Sequence, residues 1–283
     1  MTYLLALLSS LVWGSSDFAG GLFTRRAHAV QVVFASQVGG LIITCVAMAV
    51  AVSSGHAPQS GLWPVYGAFA GLCGCVGLCA FYAALSSGTM GVVSPIAALG
   101  AIVPVVLGVL GGEHIGLLTG AGMALALAGA ALASGPELSG EVSRRPLGLA
   151  VVAAVGFGLA LYLLHQASAT SVLGGLWAMR VTSIVALGLL LTVWRTRPSG
   201  IPGPHLSRRL IPLAMLAGSA DLSANALFGI ASTSGAVGVV SVLGSLYPVM
   251  TLLLARGFLH ERLRRVQLVG VMCAVVGVAL TVS

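Results

Sequence analysis

Long apolar stretches alternate with short polar breaks along the whole chain. Ten stretches approach the 20 or so residues that a helix needs to cross roughly 30 Å of hydrocarbon. They occupy 3–23, 30–52, 63–84, 88–110, 115–134, 147–166, 172–194, 209–231, 235–256 and 265–282. The breaks carry turn and loop chemistry, as in Ser53-Ser54-Gly55, Gly135-Pro136, Arg197-Pro198-Ser199-Gly200 and Pro202-Gly203-Pro204. The one polar interval near the middle, 135–146 (GPELSGEVSRRP), leaves five stretches on either side. The pattern predicts an all-α integral membrane protein with ten transmembrane helices. Residues 1–134 form a first five-helix repeat, 135–146 a linker and 147–283 a second repeat. The first stretch lacks a basic N-terminal region and is too long for a signal peptide, so it reads as an uncleaved span.

The division is also written as a repeat. Ser87-Gly88-Thr89-Met90-Gly91-Val92-Val93-Ser94 returns as Ser234-Gly235-Ala236-Val237-Gly238-Val239-Val240-Ser241, identical at six of eight positions. After one residue of slippage, Glu113 matches Glu261, Gly122 matches Gly270 and Gly129 matches Gly277. An odd number of crossings per half turns the second half upside down. The expectation is therefore two inverted five-helix repeats, an arrangement from which many secondary transporters are built.

Composition settles the environment. Hydrophobic residues make up 58% of the 283 and charged ones 7%, with a mean hydropathy of +1.07. A soluble domain carries about 25% charged residues, so this chain has too few to cover a surface in water. There is no lysine, and twelve of thirteen arginines lie in or beside four odd-numbered connections. These are Arg25 and Arg26; Arg144 and Arg145; Arg195, Arg197, Arg208 and Arg209; and Arg256, Arg262, Arg264 and Arg265. The positive-inside rule makes that face cytoplasmic and places both termini outside, in a plasma (inner) membrane. The net charge of +7 follows from this asymmetry and calls for no nucleic-acid partner.

The chain resembles ten-helix members of the drug/metabolite transporter superfamily of the EamA type. The resemblance is carried by Ser10-Leu11-Val12-Trp13-Gly14 in span 1, its echo Ala154-Val155-Gly156-Phe157-Gly158 in span 6, and the Ser-Gly-x-x-Gly-Val-Val-Ser openings of spans 4 and 9. The Gly112-Glu113 and His260-Glu261 turns complete it. It implies alternating access around a central cavity formed mainly by spans 1, 3, 4, 6, 8 and 9. It also implies cytoplasmic termini in many members, against the arginine count here, and the arginine-derived orientation is retained.

Three charges fall inside spans, where each costs about 2.5–3.5 kcal/mol on insertion scales: Asp17, Arg180 and Asp221. From the arginine-poor face, Asp17 lies about 21 Å deep, Arg180 about 12 Å and Asp221 about 15 Å. Arg180 and Asp221 therefore pair, either as a mutual satisfaction of buried charge or as part of a site that continues to Asn225. Asp17, beside Trp13 and Ser16, is a coupling candidate, since a carboxylate in low dielectric is readily protonated. The alternative is an interfacial acid neutralised by Arg25 and Arg26. Pro95, Pro104 and Pro248 interrupt the helical ladder of spans 4 and 9, next to Ser94, Ser241, Ser245 and Tyr247. These polar groups are candidate substrate contacts, with plain helix packing as the alternative. Trp13, Tyr82, Phe157 and Tyr162 are candidate aromatic walls, and Gln37 occupies in span 2 the place of Arg180 in span 7.

Glu113 and Glu261 are expected to meet the positive end of the helix that each precedes. The five cysteines read as small buried hydrophobes, and Gly108-x-x-x-Gly112 and Gly116-x-x-x-Gly120 as close-packing or dimerisation faces. There is no P-loop, no metal-ligand spacing and no nucleophile elbow. The expectation is a monomeric or weakly dimeric transporter, not an enzyme, without cofactor or metal. It moves a small metabolite, amino acid or drug across a lipid bilayer, with protons as a candidate coupling ion. A non-transporting membrane sensor or assembly protein on the same scaffold is the alternative.

Overall fold

In the computed structural model the described residues are 1–87, 90–133, 144–196, 205–259 and 265–282. Among them helices are the only regular elements. The elements are α1 (Thr2–Thr24), α2 (Ala29–Ser53), α3 (Trp63–Ser87), α4 (Met90–Ala98), α5 (Ile102–Leu110) and α6 (Leu117–Ala133). They continue as α7 (Arg144–Ser168), α8 (Val172–Thr196), α9 (Ile211–Ser232), α10 (Val237–Gly244), α11 (Tyr247–Leu259) and α12 (Arg265–Val282). A 3-10 turn, Leu99–Ala101, joins α4 to α5. Each apolar stretch in the pattern is helical, with ends shifted by a few residues. Among the described residues, seven helical segments are long and apolar enough to cross a membrane, and α6 and the 237–251 segment are shorter apolar helices. Large apolar side chains such as Ile42, Val46, Phe69, Leu189, Leu216 and Val275 are exposed on the outside, where hydrocarbon accepts them. The protein is a multi-pass membrane protein.

Two of the stretches are broken, and the prolines explain where. Pro104 has no N–H to give the Gly100 carbonyl, and Pro248 none to give that of Gly244. The interruptions fall at these points, at 99–101 and at 245–246. Both lie where another helix crosses closely. A Cβ on Gly14 of α1 would stand 2.6 Å from the Tyr247 carbonyl oxygen and 2.7 Å from Met250 Cβ. One on Gly158 of α7 would stand 2.2 Å from the Gly100 carbonyl oxygen and 2.7 Å from Val103 Cβ. The residues meeting Gly14 and those meeting Gly158 are repeat counterparts, so the two halves build the same crossing.

The same matching holds where α6 packs on α12. A Cβ on Gly129 would lie 2.3 Å from Ala274 N, and one on Gly277 2.3 Å from Ala126 N. Gly122 faces Thr281, and Gly270 faces Ala133. The contacts run 122 with 281, 126 with 277, 129 with 274 and 133 with 270, so α6 and α12 are antiparallel. Of the glycines expected to form packing faces, Gly108 meets Glu113 and Val237, Gly112 sits in a turn at φ 99° with open space around it, and neither Gly116 nor Gly120 would bring a Cβ nearer than 3.7 Å to anything in the chain. The close approach of α6 to α12 comes from Gly122, Gly129, Gly270 and Gly277.

Candidate functional site

A cavity of about 90 Å³ lies among α1, α2, α3, the 97–101 segment, α7, α8, α9 and the 244–247 break. Both halves line it. Trp13, Asp17 and Gln37 come from the first, and Phe157, Arg180, Asp221, Asn225, Ser245 and Tyr247 from the second. The helices implied by the resemblance are present, and α2 and α8 join them through Gln37 and Arg180.

Arg180 is fully buried. Its Nη2 donates to Asp221 Oδ2 at 2.8 Å and its Nη1 to Gln37 Oε1 at 2.5 Å. This bears out the pairing expected from depth and gives Gln37 a contact that its position alone did not reveal. Gly40 makes room for the guanidinium, since a Cβ there would stand 3.1 Å from Nε. Asn225 Nδ2 donates to the Asp221 backbone carbonyl one turn earlier, at 2.7 Å. One buried cation thus ties α2, α8 and α9 together.

Asp17 is different. It is 8% exposed and lines the cavity, and among the described residues it has no hydrogen-bond or ion-pair partner. Arg25 and Arg26 are exposed beyond the end of α1, so they do not neutralise it. Two more polar atoms of cavity-lining side chains are buried without partners, Tyr247 Oη and Arg180 Nε. Leaving such a group unsatisfied costs about 1–3 kcal/mol. Asp17, Tyr247 and Arg180, which carry these groups, all line the one cavity.

Trp13, Phe157 and Tyr247 are the aromatic part of the described lining, and each packs on a further ring. Trp13 packs against Phe228 with ring centroids 5.8 Å apart, while Phe81 stands edge-on to Phe157 at 5.7 Å and to Tyr247 at 6.3 Å. The remaining candidates fall outside the lining. Tyr82 is buried against Phe81, its hydroxyl filling the space where a Gly20 Cβ would be. Tyr162 accepts from Gln166 Nε2 at 2.9 Å. Ser16 donates to the Ala217 carbonyl at 2.8 Å, fastening α1 to α9. Ser94 and Ser241 are buried off the cavity, the latter without a partner, and Pro95 lies in α4 away from it. Among the lining serines, Ser245 donates to the Val242 carbonyl at 2.8 Å.

Glu113 corrects an expectation. It does not serve α6, the helix it precedes. Its carboxylate accepts from Val237 N at 2.5 Å and from Gly238 N at 3.2 Å, so it caps α10 in the other half. A carboxylate on free N–H groups at the positive helix end is favourable for the same reason as expected, but on a different helix. Gly108 leaves space for it, because a Cβ there would stand 2.5 Å from Oε2. Glu261 lies outside the described residues, as do 88–89 of the first repeat motif and most of the 135–146 linker.

The model of the EamA-like transporter family matches residues 1–135 and again 144–283. No curated protein matches the chain. Nineteen solved chains do; one, a crystal structure described only as that of a protein, superposes with a TM-score of 0.72 at 20% identity, covering 99% of this chain and 95% of that one. That likeness speaks for the fold alone. With two family matches that together span nearly the whole sequence, the chain belongs to the EamA-like transporter family.

Proposed function

We propose that the protein is a secondary transporter for a small amphipathic metabolite, amino acid or drug bearing an amino group, working by alternating access. One observation carries the reading: the cavity shared by both halves holds an unpaired carboxylate, Asp17, beside Trp13, Phe157 and Tyr247. Ionised Asp17 and Asp221 against one Arg180 leave the site one negative charge in excess. An ammonium group matches that excess, and aromatic faces favour it further by about 0.5–2 kcal/mol. When no substrate is present, a proton on Asp17 removes the same charge, which gives proton coupling a physical route.

Ten spans in two inverted repeats are the architecture this mechanism needs. The matched crossings at Gly14 and Gly158, and the antiparallel packing of the counterpart helices α6 and α12, support it. A cavity of about 90 Å³ is well below the roughly 300–1,000 Å³ of ordinary ligand sites, so substrate entry requires the halves to part. On this reading the arginine-rich connections are cytoplasmic and the termini extracytoplasmic.

The test is uptake and efflux of labelled amines, amino acids and neutral analogues in proteoliposomes, with and without a pH gradient. Amine flux that is lost in Asp17→Asn is the expected result. Equal flux of neutral analogues, or undiminished gradient-driven flux in that variant, sinks the proposal.

A further inference from the structure

A second space, about 880 Å³, opens between α2, α8 and the start of α9, away from the central cavity. Three helical stripes form it. Gln31, Phe34, Ala35 and Val38 follow one face of α2; Gly188, Leu191, Thr192 and Arg195 follow one face of α8; Ile211 and Met215 come from α9. Positions three, four and seven apart share a helix face, so each stripe is continuous. Gln37 and Gly40, which contact Arg180, stand on another face of α2.

The groove is graded along its length. Its deep part is apolar, made by Val38, Gly188, Leu191 and Met215. Seven residues, about 10 Å of helix, separate Gly188 from Arg195 and Gln31 from Val38. At the arginine-rich end stand Arg195, Gln31 and His205. That rim is built: Gln31 Oε1 accepts from Leu206 N at 2.6 Å, and Gln31 Nε2 lies 3.1 Å from His205 Nδ1. Among the described residues no acid lines the groove, so none of them is a counter-ion for Arg195 there.

We infer that this groove binds one anionic phospholipid, with its phosphate at Arg195 and an acyl chain laid along α2, α8 and α9. An apolar crevice facing hydrocarbon takes a lipid tail, and a basic rim between transmembrane helices selects an acidic headgroup. The site is separate from substrate translocation and stands whether or not the transport reading holds.

The experiment uses the full chain in neutral detergent, followed by native mass spectrometry and thermal melting. Phosphatidylglycerol, phosphatidylcholine with the same chains, and inorganic phosphate are titrated in parallel. The expected result is one saturable phosphatidylglycerol adduct and a raised melting temperature, with phosphatidylcholine weaker. Arg195→Gln should reduce that preference by about fivefold, the value of one arginine near a charged surface. Gly188→Leu fills the groove, since a Cβ there meets only Phe34 Cε2 at 3.8 Å; it should abolish the adduct while Arg195 remains. Equal binding of both lipids, a matching shift with inorganic phosphate alone, or a full adduct in Gly188→Leu overturns the inference. Should Gly188→Leu fail to fold, the Arg195→Gln titration and the comparison of lipids decide the matter alone.

Discussion

Bonding assigns opposite tasks to two buried charges, Arg180 and Asp17. Arg180 is fully enclosed and bonded to Asp221 and Gln37, so removing it strands a buried acid. Breaking a buried pair by deleting one partner typically costs about 3–5 kcal/mol. Arg180→Met should therefore melt well below the parent in detergent, and adding Asp221→Leu should restore part of the loss. An equally low melting point for the double variant would mean that the ion pair itself supplies the stability. Asp17→Asn, by contrast, removes no bond among the described residues and should leave the melting point nearly unchanged. The pairing of Arg180 with Asp221 was legible from their depths along the helices. The isolation of Asp17 was not, because it depends on how far Arg25 and Arg26 project from the end of α1. A titratable edge exists as well: His28 at the N-cap of α2 stands edge-on to Trp194, 5.3 Å between ring centroids, and burial lowers its affinity for a proton from the usual 6.5. The unfolded chain then takes up protons that the fold resists, so stability holds above about pH 6.5 and falls as the pH drops below it. His28→Asn keeps a capping side chain and should show a smaller loss of melting temperature between pH 7.5 and pH 5.5.

At the scale of elements, glycine sets the spacing and proline sets the breaks. Gly129 and Gly277 bring α6 and α12 so close that a Cβ on either would stand 2.3 Å from a backbone nitrogen of the other helix. A backbone cannot swing aside as a side chain can. Gly129→Ala should therefore cost about 1–3 kcal/mol, the usual cost of overpacking, read as a lower melting temperature in detergent. Gly112→Ala makes a useful contrast: it strains a positive φ in open space without moving a helix. Sequence spacing suggested Gly108, Gly112, Gly116 and Gly120 as packing faces; Gly108 packs against Glu113 and Val237, whereas α6 and α12 meet through other glycines. A small-x-x-x-small pattern is present in both sets, and only the partner helix distinguishes a packing face from a turn. Pro104 and Pro248 were more legible, because a missing N–H frees a particular carbonyl wherever the helix goes; Pro95, also expected to interrupt its span, lies inside α4 without a break. Glu113 shows the remaining gap: a carboxylate beside helix ends was readable, but which helix it caps depends on α10 being brought to α5 by the tertiary fold.

For the molecule as a whole, Glu113 offers a handle on the proposed rocking of the halves. It belongs to the first half and holds the first two N–H groups of α10 in the second. On the proposed ten-span topology, the loop that carries it and the turn before α10 are even-numbered connections, on the face without arginines. If alternating access parts the halves there, this cap must release in each cycle. Joining the two sides should then trap one state. A Glu113→Cys, Val237→Cys variant, treated with a short thiol crosslinker in proteoliposomes, should lose flux, and cleaving the linker should restore it. Each single-cysteine variant, treated alike, should keep its flux; the five native cysteines all lie within helices and are replaced by alanine beforehand. Orientation is read from the same preparations in intact cells: Cys introduced at Glu141 or Ser199 should react only after the cytoplasm is opened, and Cys at Glu113 from outside. Labelling of 141 from the exterior would reverse the assigned topology but leave the crosslink argument intact, since that argument needs only the two halves to separate at Glu113. Undiminished flux in the crosslinked double variant would mean that this face stays closed while substrate moves, and rocking of the halves could no longer be the mechanism.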